Sequence, residues 1–205
     1  MRLYMMRHGE TDWNKQHLWQ GRTDVPLNEN GRYVAKLTQE GLKDVVFDLA
    51  FSSPLCRAKE TAQIVLNGRD IPLIEDERII EMGFGPYEAT SMEQLDECMR
   101  TFFEHPDQYE VPKGAESFEE VLEREGAFLN ELCSTEEYQD KTILIATHGA
   151  ALSGLLCLIK KNPIAKFWLK NVHKNCGMTI VDIQNGEMKI LKEAIILYDE
   201  KDLKS

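Results

Sequence analysis

Short apolar runs alternate with longer amphipathic stretches along this chain, a pattern typical of α/β proteins. The run at 142–147 is almost wholly apolar, as expected of a central strand that is covered on both faces. The predicted strands are 2–7, 47–52, 72–74, 142–147, 178–183 and 189–197. We therefore predict an α/β fold with three layers, α/β/α, around a mostly parallel central sheet.

Several of the intervening stretches carry start signals of helices. Asn28 is placed as an N-cap, Pro54 lies in a first turn, and Ser117 with Glu120 forms a capping-box pattern. The predicted helices cover 28–42, 54–66, 117–132 and 149–159. The last of them is strongly apolar, and we expect it to be buried.

The composition changes between Phe84 and Tyr138, where the chain becomes acidic and helical and contains several turn formers. These are Pro86, Pro106, Pro112 and Gly114. We predict an α-helical insertion at about 84–140 that leaves the sheet after one strand, returns at Thr142 and caps a site at the strand ends. With no repeat or linker in the sequence, residues 1–205 are expected to form a single domain.

The charge balance restricts the partners. The 205 residues include 24 basic and 35 acidic ones, which gives a net charge of −11, and 42% of residues are apolar. Because nucleic acids and anionic membranes bind basic surfaces, we expect neither as a partner. A small anionic substrate needs only a local cationic pocket and is still compatible with this composition.

The sequence also predicts the cellular compartment. No apolar run reaches the length of about 18 residues expected of a membrane span, and the start of the chain lacks the features of a signal peptide. The five cysteines are widely spaced and form no CxxC pair. They are typical of reduced thiols, so we expect a cytoplasmic protein.

Three predicted strands are followed by residues suited to phosphate chemistry. Arg7 and His8 follow the first strand, His148 follows the run at 142–147, and Arg57 starts the helix after the run at 47–52. In a parallel arrangement these four side chains would converge, because the carboxyl ends of parallel strands share one edge of the sheet.

Such a set of side chains suits a tetrahedral dianion. Each arginine can bind two phosphate oxygens, and a helix N-terminus adds free N–H groups. One histidine can attack phosphorus while the other donates to the oxygens on which charge accumulates. We assign the nucleophile to His8, which follows its strand directly beside Arg7, and the donor role to His148.

The motifs around these residues resemble those of the histidine phosphatase superfamily, in the branch that includes cofactor-dependent phosphoglycerate mutases. The matching segments are RHGETDWN at 7–14, QG at 20–21, SSPLCRAKETA at 52–62, DERIIEMGFG at 76–85, GAESF at 114–118 and THGA at 147–150. They cover nearly the whole chain in order. The resemblance implies a phosphohistidine intermediate at His8, with Arg7, Arg57 and His148 binding the phosphoryl group.

The same resemblance implies roles for other residues of the site. Glu81 matches the residue that gives a proton to the leaving oxygen and then activates water. Asn14 and the Gly149 amide would help to place the phosphoryl group. Gln20 and Gly21 would contact the substrate, or they only form a turn. The resemblance implies no metal and no cofactor.

Hydrolysis and phosphoryl transfer to a second hydroxyl are the two activities found in this branch. A phosphoglycerate mutase needs further cations for the substrate carboxylate, yet 84–138 contains only Arg100, Lys113 and Arg124 as cations among many acids. We therefore expect a metal-independent phosphatase that hydrolyses small phosphomonoesters. A phosphoglycerate mutase and a phosphate-binding module without turnover are the alternatives.

The expected partner is a small phosphorylated metabolite. The sequence does not identify that metabolite, because substrate choice depends on the insertion, where the resemblance is weakest. It also leaves the oligomeric state open, with a homodimer as one option.

Overall fold

A six-stranded mixed sheet lies at the centre of the molecule in this computed structural model, which describes residues 1–168, 172–199 and 201. Its strands are β1 (Arg2–Arg7), β2 (Leu49–Ser52), β3 (Leu73–Glu75), β4 (Thr142–Thr147), β5 (Met178–Gln184) and β6 (Glu187–Ile195). Their order is β3-β2-β4-β1-β5-β6. The first four in this order pair in parallel, and β5 and β6 continue the sheet antiparallel. The predicted α/β class and mostly parallel sheet are confirmed.

Six α-helices accompany the sheet in the described part of the chain. They are α1 (Asp12–Lys15), α2 (Glu29–Gly41), α3 (Cys56–Val65), α4 (Glu97–Glu104), α5 (Phe118–Ser134) and α6 (Gly149–Ile159). The side chains of Asn28 and Ser117 accept hydrogen bonds from the first turns of α2 and α5, as their positions predict. Within the described ranges, no helix is long and apolar enough to cross a membrane.

The sheet is covered on both faces because side chains alternate along each strand. Leu3 and Met5 of β1 pack with buried side chains of α5 and α6. Met6 of the same strand belongs to a second core with buried side chains of α2 and α3. Helices therefore flank both faces of the sheet, which gives the three predicted layers.

The segment between β3 and β4 has two parts with different surroundings. Its second part, α5, packs on α6 and covers the sheet. Its first part contains α4 and contributes Phe84 and Phe102 to an aromatic cluster that also includes Trp19. This first part lies over the carboxyl ends of the strands, where the polar site is found.

One buried acid lies between α5 and α6, outside the lining of that site. Glu125 of α5 is 0% exposed, and neither carboxyl oxygen has a hydrogen-bond partner in the described residues. It packs against Gly154 of α6, where an added Cβ would lie 2.2 Å from Glu125 Oε2. Burial raises the pKa of Glu125 well above its ordinary 4.5, although Arg124 Nη1 lies 3.9 Å from Oε1 and lowers it in part.

We expect Glu125→Gln to increase the free energy of unfolding at pH 8 more than at pH 5. Above about pH 4.5 the unfolded chain loses the proton of Glu125, whereas the folded chain keeps it. The free energy of unfolding therefore falls by about 1.4 kcal/mol for each pH unit between the pKa of Glu125 in the unfolded chain and its pKa in the folded chain. Glutamine has no such proton. Urea unfolding at both pH values measures the difference, with the exposed Glu123→Gln on the same helix as control. An equal change at both pH values would show that Glu125 is ionised in the fold.

Candidate active site

The carboxyl ends of three strands bring the predicted site together. Strand β4 lies between β1 and β2, and Arg7 pairs with Thr147 at the ends of β1 and β4. The residues that follow these two strands, His8 and His148, have ring centroids 5.2 Å apart. Arg57 reaches the same place from the first turn of α3, which follows β2. The four side chains that the sequence predicts to converge therefore lie together.

His8 presents one ring nitrogen as a nucleophile. Its Nδ1 lies 2.6 Å from the carbonyl oxygen of Gly9. A carbonyl only accepts, so Nδ1 carries the proton and Nε2 keeps its lone pair. The imidazole is buried, and this burial together with Arg57 and Arg7 lowers the pKa of His8 well below 6.5. The residue is thus neutral, which leaves Nε2 available for attack.

Arg7 retains a donor for a ligand. Its Nη1 donates to the carbonyl of His173 at 2.6 Å, which fixes the guanidinium. Its Nε is buried and has no hydrogen-bond partner in the described ranges. A buried donor without an acceptor is costly in free energy, so this N–H suits an anionic oxygen that enters the pocket.

Arg57 is fully buried, and its donors hold the surrounding backbone. Nη1 and Nη2 donate to the carbonyls of Thr23 and Gly21 at 2.8 and 2.7 Å. Nε lies 3.2 Å from His148 Nδ1, and His148 Nε2 lies 2.7 Å from Ser53 Oγ. Because a guanidinium can only donate, His148 Nδ1 accepts and the ring proton is on Nε2. Burial and then Arg57 lower the pKa of His148 well below 6.5, so this ring is also neutral.

We expect both imidazoles to be largely neutral at pH 5.5, where a histidine of ordinary pKa is about 90% protonated. The cause is burial beside two guanidinium groups, which disfavours a further positive charge. Imidazole ¹⁵N chemical shifts measure the protonation state, and His8→Ala and His148→Ala assign the signals. A titration midpoint near pH 6.5 for either signal would contradict this electrostatic description.

Glu81 occupies the N-terminus of α6. Its Oε2 accepts from the amides of Gly149 and Ala150 at 3.0 and 3.3 Å. Its Oε1 accepts from those of Ala151 and Met82, both at 3.0 Å. Glu81 is 7% exposed and lines the same pocket as His8. The Gly149 amide, which the sequence analysis assigns to the phosphoryl group, donates to Glu81 in this structure.

Asn14 and Gln20 are held by Thr11, a residue that the sequence analysis does not single out. The Thr11 amide donates to Asn14 Oδ1 at 3.1 Å, and Thr11 Oγ1 donates to Gln20 Oε1 at 2.9 Å. Asn175 Nδ2 also donates to Asn14 Oδ1 at 3.4 Å and to the His8 carbonyl at 3.1 Å. Because these donors use the oxygen of Asn14, its NH₂ group is the part that can face an anion.

Glu88 is a further residue that the sequence analysis does not assign to the site. Its carboxylate accepts from the Arg22 and Thr23 amides at 3.1 and 3.0 Å and from Thr23 Oγ1 at 2.6 Å. It thereby holds the loop whose carbonyls bind Arg57. Gly21 in that loop has φ +53°, and a Cβ there would lie 2.1 Å from Glu88 Oε1. In the sequence Glu88 is one acid among many, and only its contacts show this role.

The resulting pocket contains about 500 Å³ of empty space, its open mouth included. Eight of the nine predicted site residues line it: Arg7, His8, Asn14, Gln20, Gly21, Arg57, Glu81 and Gly149. His148 lies behind this lining, in contact with Arg57 and Ser53. The pocket thus combines cations, an unprotonated imidazole nitrogen and a carboxylate, which together can bind and transfer a phosphoryl group.

Comparison with known proteins identifies the family of this chain. A family model described as the histidine phosphatase superfamily (branch 1) matches residues 3–195. The uncharacterized phosphatase PhoE of Bacillus subtilis is 36% identical over 74% of each chain. A 2,3-bisphosphoglycerate-dependent phosphoglycerate mutase of Cytophaga hutchinsonii is 32% identical over 78% of this chain and 77% of its own. The structure of Bacillus stearothermophilus YhfR superposes with a TM-score of 0.87 at 31% identity, covering 94% of this chain and 96% of that one. The chain therefore belongs to the histidine phosphatase superfamily.

Proposed function

We propose that the protein is a metal-independent phosphatase that hydrolyses small phosphomonoesters through a phosphohistidine on His8. The observation that carries this proposal is the position of His8 Nε2, an unprotonated nitrogen in a pocket with Arg7, Arg57 and Glu81. The two guanidinium groups supply the positive charge that a metal ion supplies in other phosphatases. This supports a reaction that needs no metal.

In the first step His8 Nε2 attacks phosphorus, the P–N bond forms and the ester P–O bond breaks. Glu81 gives a proton to the leaving alkoxide, so an alcohol departs; to carry that proton, one of its oxygens gives up its amide hydrogen bonds. The Nε–H of Arg7 and the NH₂ group of Asn14 are suited to bind the phosphoryl oxygens. Arg57 adds positive charge beside these two donors, which stabilises the negative charge of the bound phosphoryl group.

In the second step water attacks the phosphohistidine. Glu81, now a carboxylate, accepts a proton from this water, and the P–N bond breaks as inorganic phosphate forms. The electron pair returns to His8 Nε2. Glu81 then again carries the proton that it gives in the first step, so the starting state is restored. His148 supports both steps by holding Arg57, because His148 Nδ1 accepts a hydrogen bond from Arg57 Nε.

The surroundings of the pocket favour hydrolysis over transfer to a phosphoglycerate. None of Arg100, Lys113 and Arg124 lines it. Arg124 instead pairs with Glu116 at 2.8 Å, and Arg100 Nε donates to a backbone carbonyl. A substrate carboxylate therefore has no cationic partner among the described lining residues of the insertion, which supports the phosphatase over the mutase.

The test is release of p-nitrophenol from p-nitrophenyl phosphate in excess chelator between pH 5 and 7. We expect turnover to be the same with and without chelator. Loss of turnover that divalent cations restore would contradict metal independence. Turnover of phosphoglycerate only after addition of a bisphosphorylated primer, with no release of phosphate, would identify a mutase instead.

The other expectations from the sequence stay predictions. They are a small phosphorylated metabolite as substrate, no nucleic-acid or membrane partner, a cytoplasmic location and a single domain over 1–205. The net charge of −11 supports the expectation about nucleic acids and anionic membranes.

A further inference from the structure

One side of the pocket is built from apolar side chains. They are Leu18, Trp19, Phe84, Met92, Phe103 and Trp168. The polar residues His8 and Glu81 line the same pocket. A phosphomonoester whose phosphate is bound at His8 would therefore place the carbon part of its alcohol against this apolar wall.

The wall is held in a fixed shape by its own contacts. Trp19 stacks on Phe103 with centroids 5.6 Å apart and an interplanar angle of 26°, and it meets the edge of Phe84 at 4.7 Å. The indole N–H of Trp168 donates to the Phe102 carbonyl at 2.7 Å. Trp168 therefore presents ring carbons rather than a free donor to a ligand. A fixed aromatic wall of this kind binds a flat apolar group well.

The charges around the pocket disfavour a second anionic group on the substrate. Arg7 and Arg57 are the cations among the lining residues that the structure describes, and Arg57 contacts His148, whose ring lies 5.2 Å from that of His8. Arg22 pairs with Glu116 at 2.9 Å, outside this lining. A substrate carboxylate against the aromatic wall would lose its hydration without gaining a cation from the described lining residues, which lowers affinity.

We propose that this apolar wall is a leaving-group subsite that selects phosphate monoesters of uncharged, apolar or aromatic alcohols over esters that carry a carboxylate. The proposal rests on the proposed function, because it takes the phosphoryl position from His8. It names Trp19, Met92 and Phe103 as specificity-determining residues.

The first measurement compares esters of primary alcohols, so that the chemistry of the leaving group is similar. We expect kcat/KM for 2-phenylethyl phosphate to exceed that for phosphoserine and for 3-phosphoglycerate by at least about tenfold, because the ring becomes buried and no carboxylate is desolvated. A preference for either carboxylated ester would overturn the proposal.

Single substitutions test which residues cause the preference for the apolar ester over the carboxylated one. Met92 is 38% exposed, so Met92→Lys should be tolerated and should place a cation at the wall. We expect it to lower the ratio of kcat/KM for 2-phenylethyl phosphate over phosphoserine by about tenfold or more. Val111→Lys is the matched control, since Val111 is 42% exposed and lies outside the pocket lining. An equal ratio in the two variants would overturn the assignment of Met92.

Binding measurements without turnover distinguish an error in the subsite assignment from an error in the proposed phosphatase activity. Calorimetry with 3-phenylpropylphosphonate and with 2-amino-4-phosphonobutanoate, which cannot be hydrolysed, compares the two classes without turnover. We expect the phenyl compound to bind at least about tenfold more tightly, and Phe103→Ala to remove most of this difference. Equal or reversed affinities would overturn the subsite, even if every ester were hydrolysed. Tight binding of 3-phenylpropylphosphonate without hydrolysis of any ester would contradict only the proposed phosphatase activity.

Discussion

His8→Ala is expected to lower kcat for p-nitrophenyl phosphate by about 10⁴-fold or more, since loss of a covalent nucleophile removes the reaction path itself. Among the described residues we find no substitute nucleophile for His8. The other imidazole nearby, that of His148, has Nδ1 engaged with Arg57 and Nε2 with Ser53. The measurement is steady-state release of p-nitrophenol by wild type and variant at the same protein concentration.

Two controls make this result specific. His105→Ala removes an exposed histidine from the segment between β3 and β4 and should leave kcat unchanged. Acid-labile, alkali-stable labelling with ³²P should be found in wild type and be absent from His8→Ala, as expected of a phosphoramidate on His8. Retention of a tenth or more of kcat in a folded His8→Ala variant would mean that another group attacks phosphorus.

Glu81→Gln is expected to have the second largest effect, and its size should depend on the leaving group. Loss of general acid catalysis costs about 10²–10⁴-fold when the alkoxide needs a proton, as with 2-phenylethyl phosphate. p-Nitrophenolate is stable without a proton, so p-nitrophenyl phosphate should lose at least about tenfold less. Steady-state kcat/KM for both esters provides the comparison.

This dependence distinguishes the acid role from damage to the fold. Both Glu81 oxygens accept amide N–H groups, so the NH₂ group of glutamine would face donors and disturb the start of α6. A disturbed α6 alone should lower kcat/KM for the two esters by the same factor. An equal loss would therefore contradict the assignment of Glu81 as proton donor.

Local signals were sufficient for much of the fold. The bounds of β1, β4 and α6 coincide with the predicted ranges, because each is a strongly apolar run that ends at a polar or glycine residue. Strand β2 begins at Leu49 rather than at residue 47, since its pairing with β4 starts at Leu49 and Ile143. The short α1 was not predicted. Its capping box joins Thr11 and Asn14 within a motif that the sequence analysis interpreted only as phosphate chemistry.

The sequence by itself determined the α/β class, the strand ends that carry Arg7, His8 and His148, and the family, because these depend on periodicity and on residues close together in the chain. Only the tertiary structure decided how the groups are used. Glu81 binds amides 68 to 70 residues away, and Glu88 holds the loop around Arg57. The apolar wall likewise joins distant segments. Which donor meets which acceptor depends on orientation in space, and spacing along the chain does not encode it.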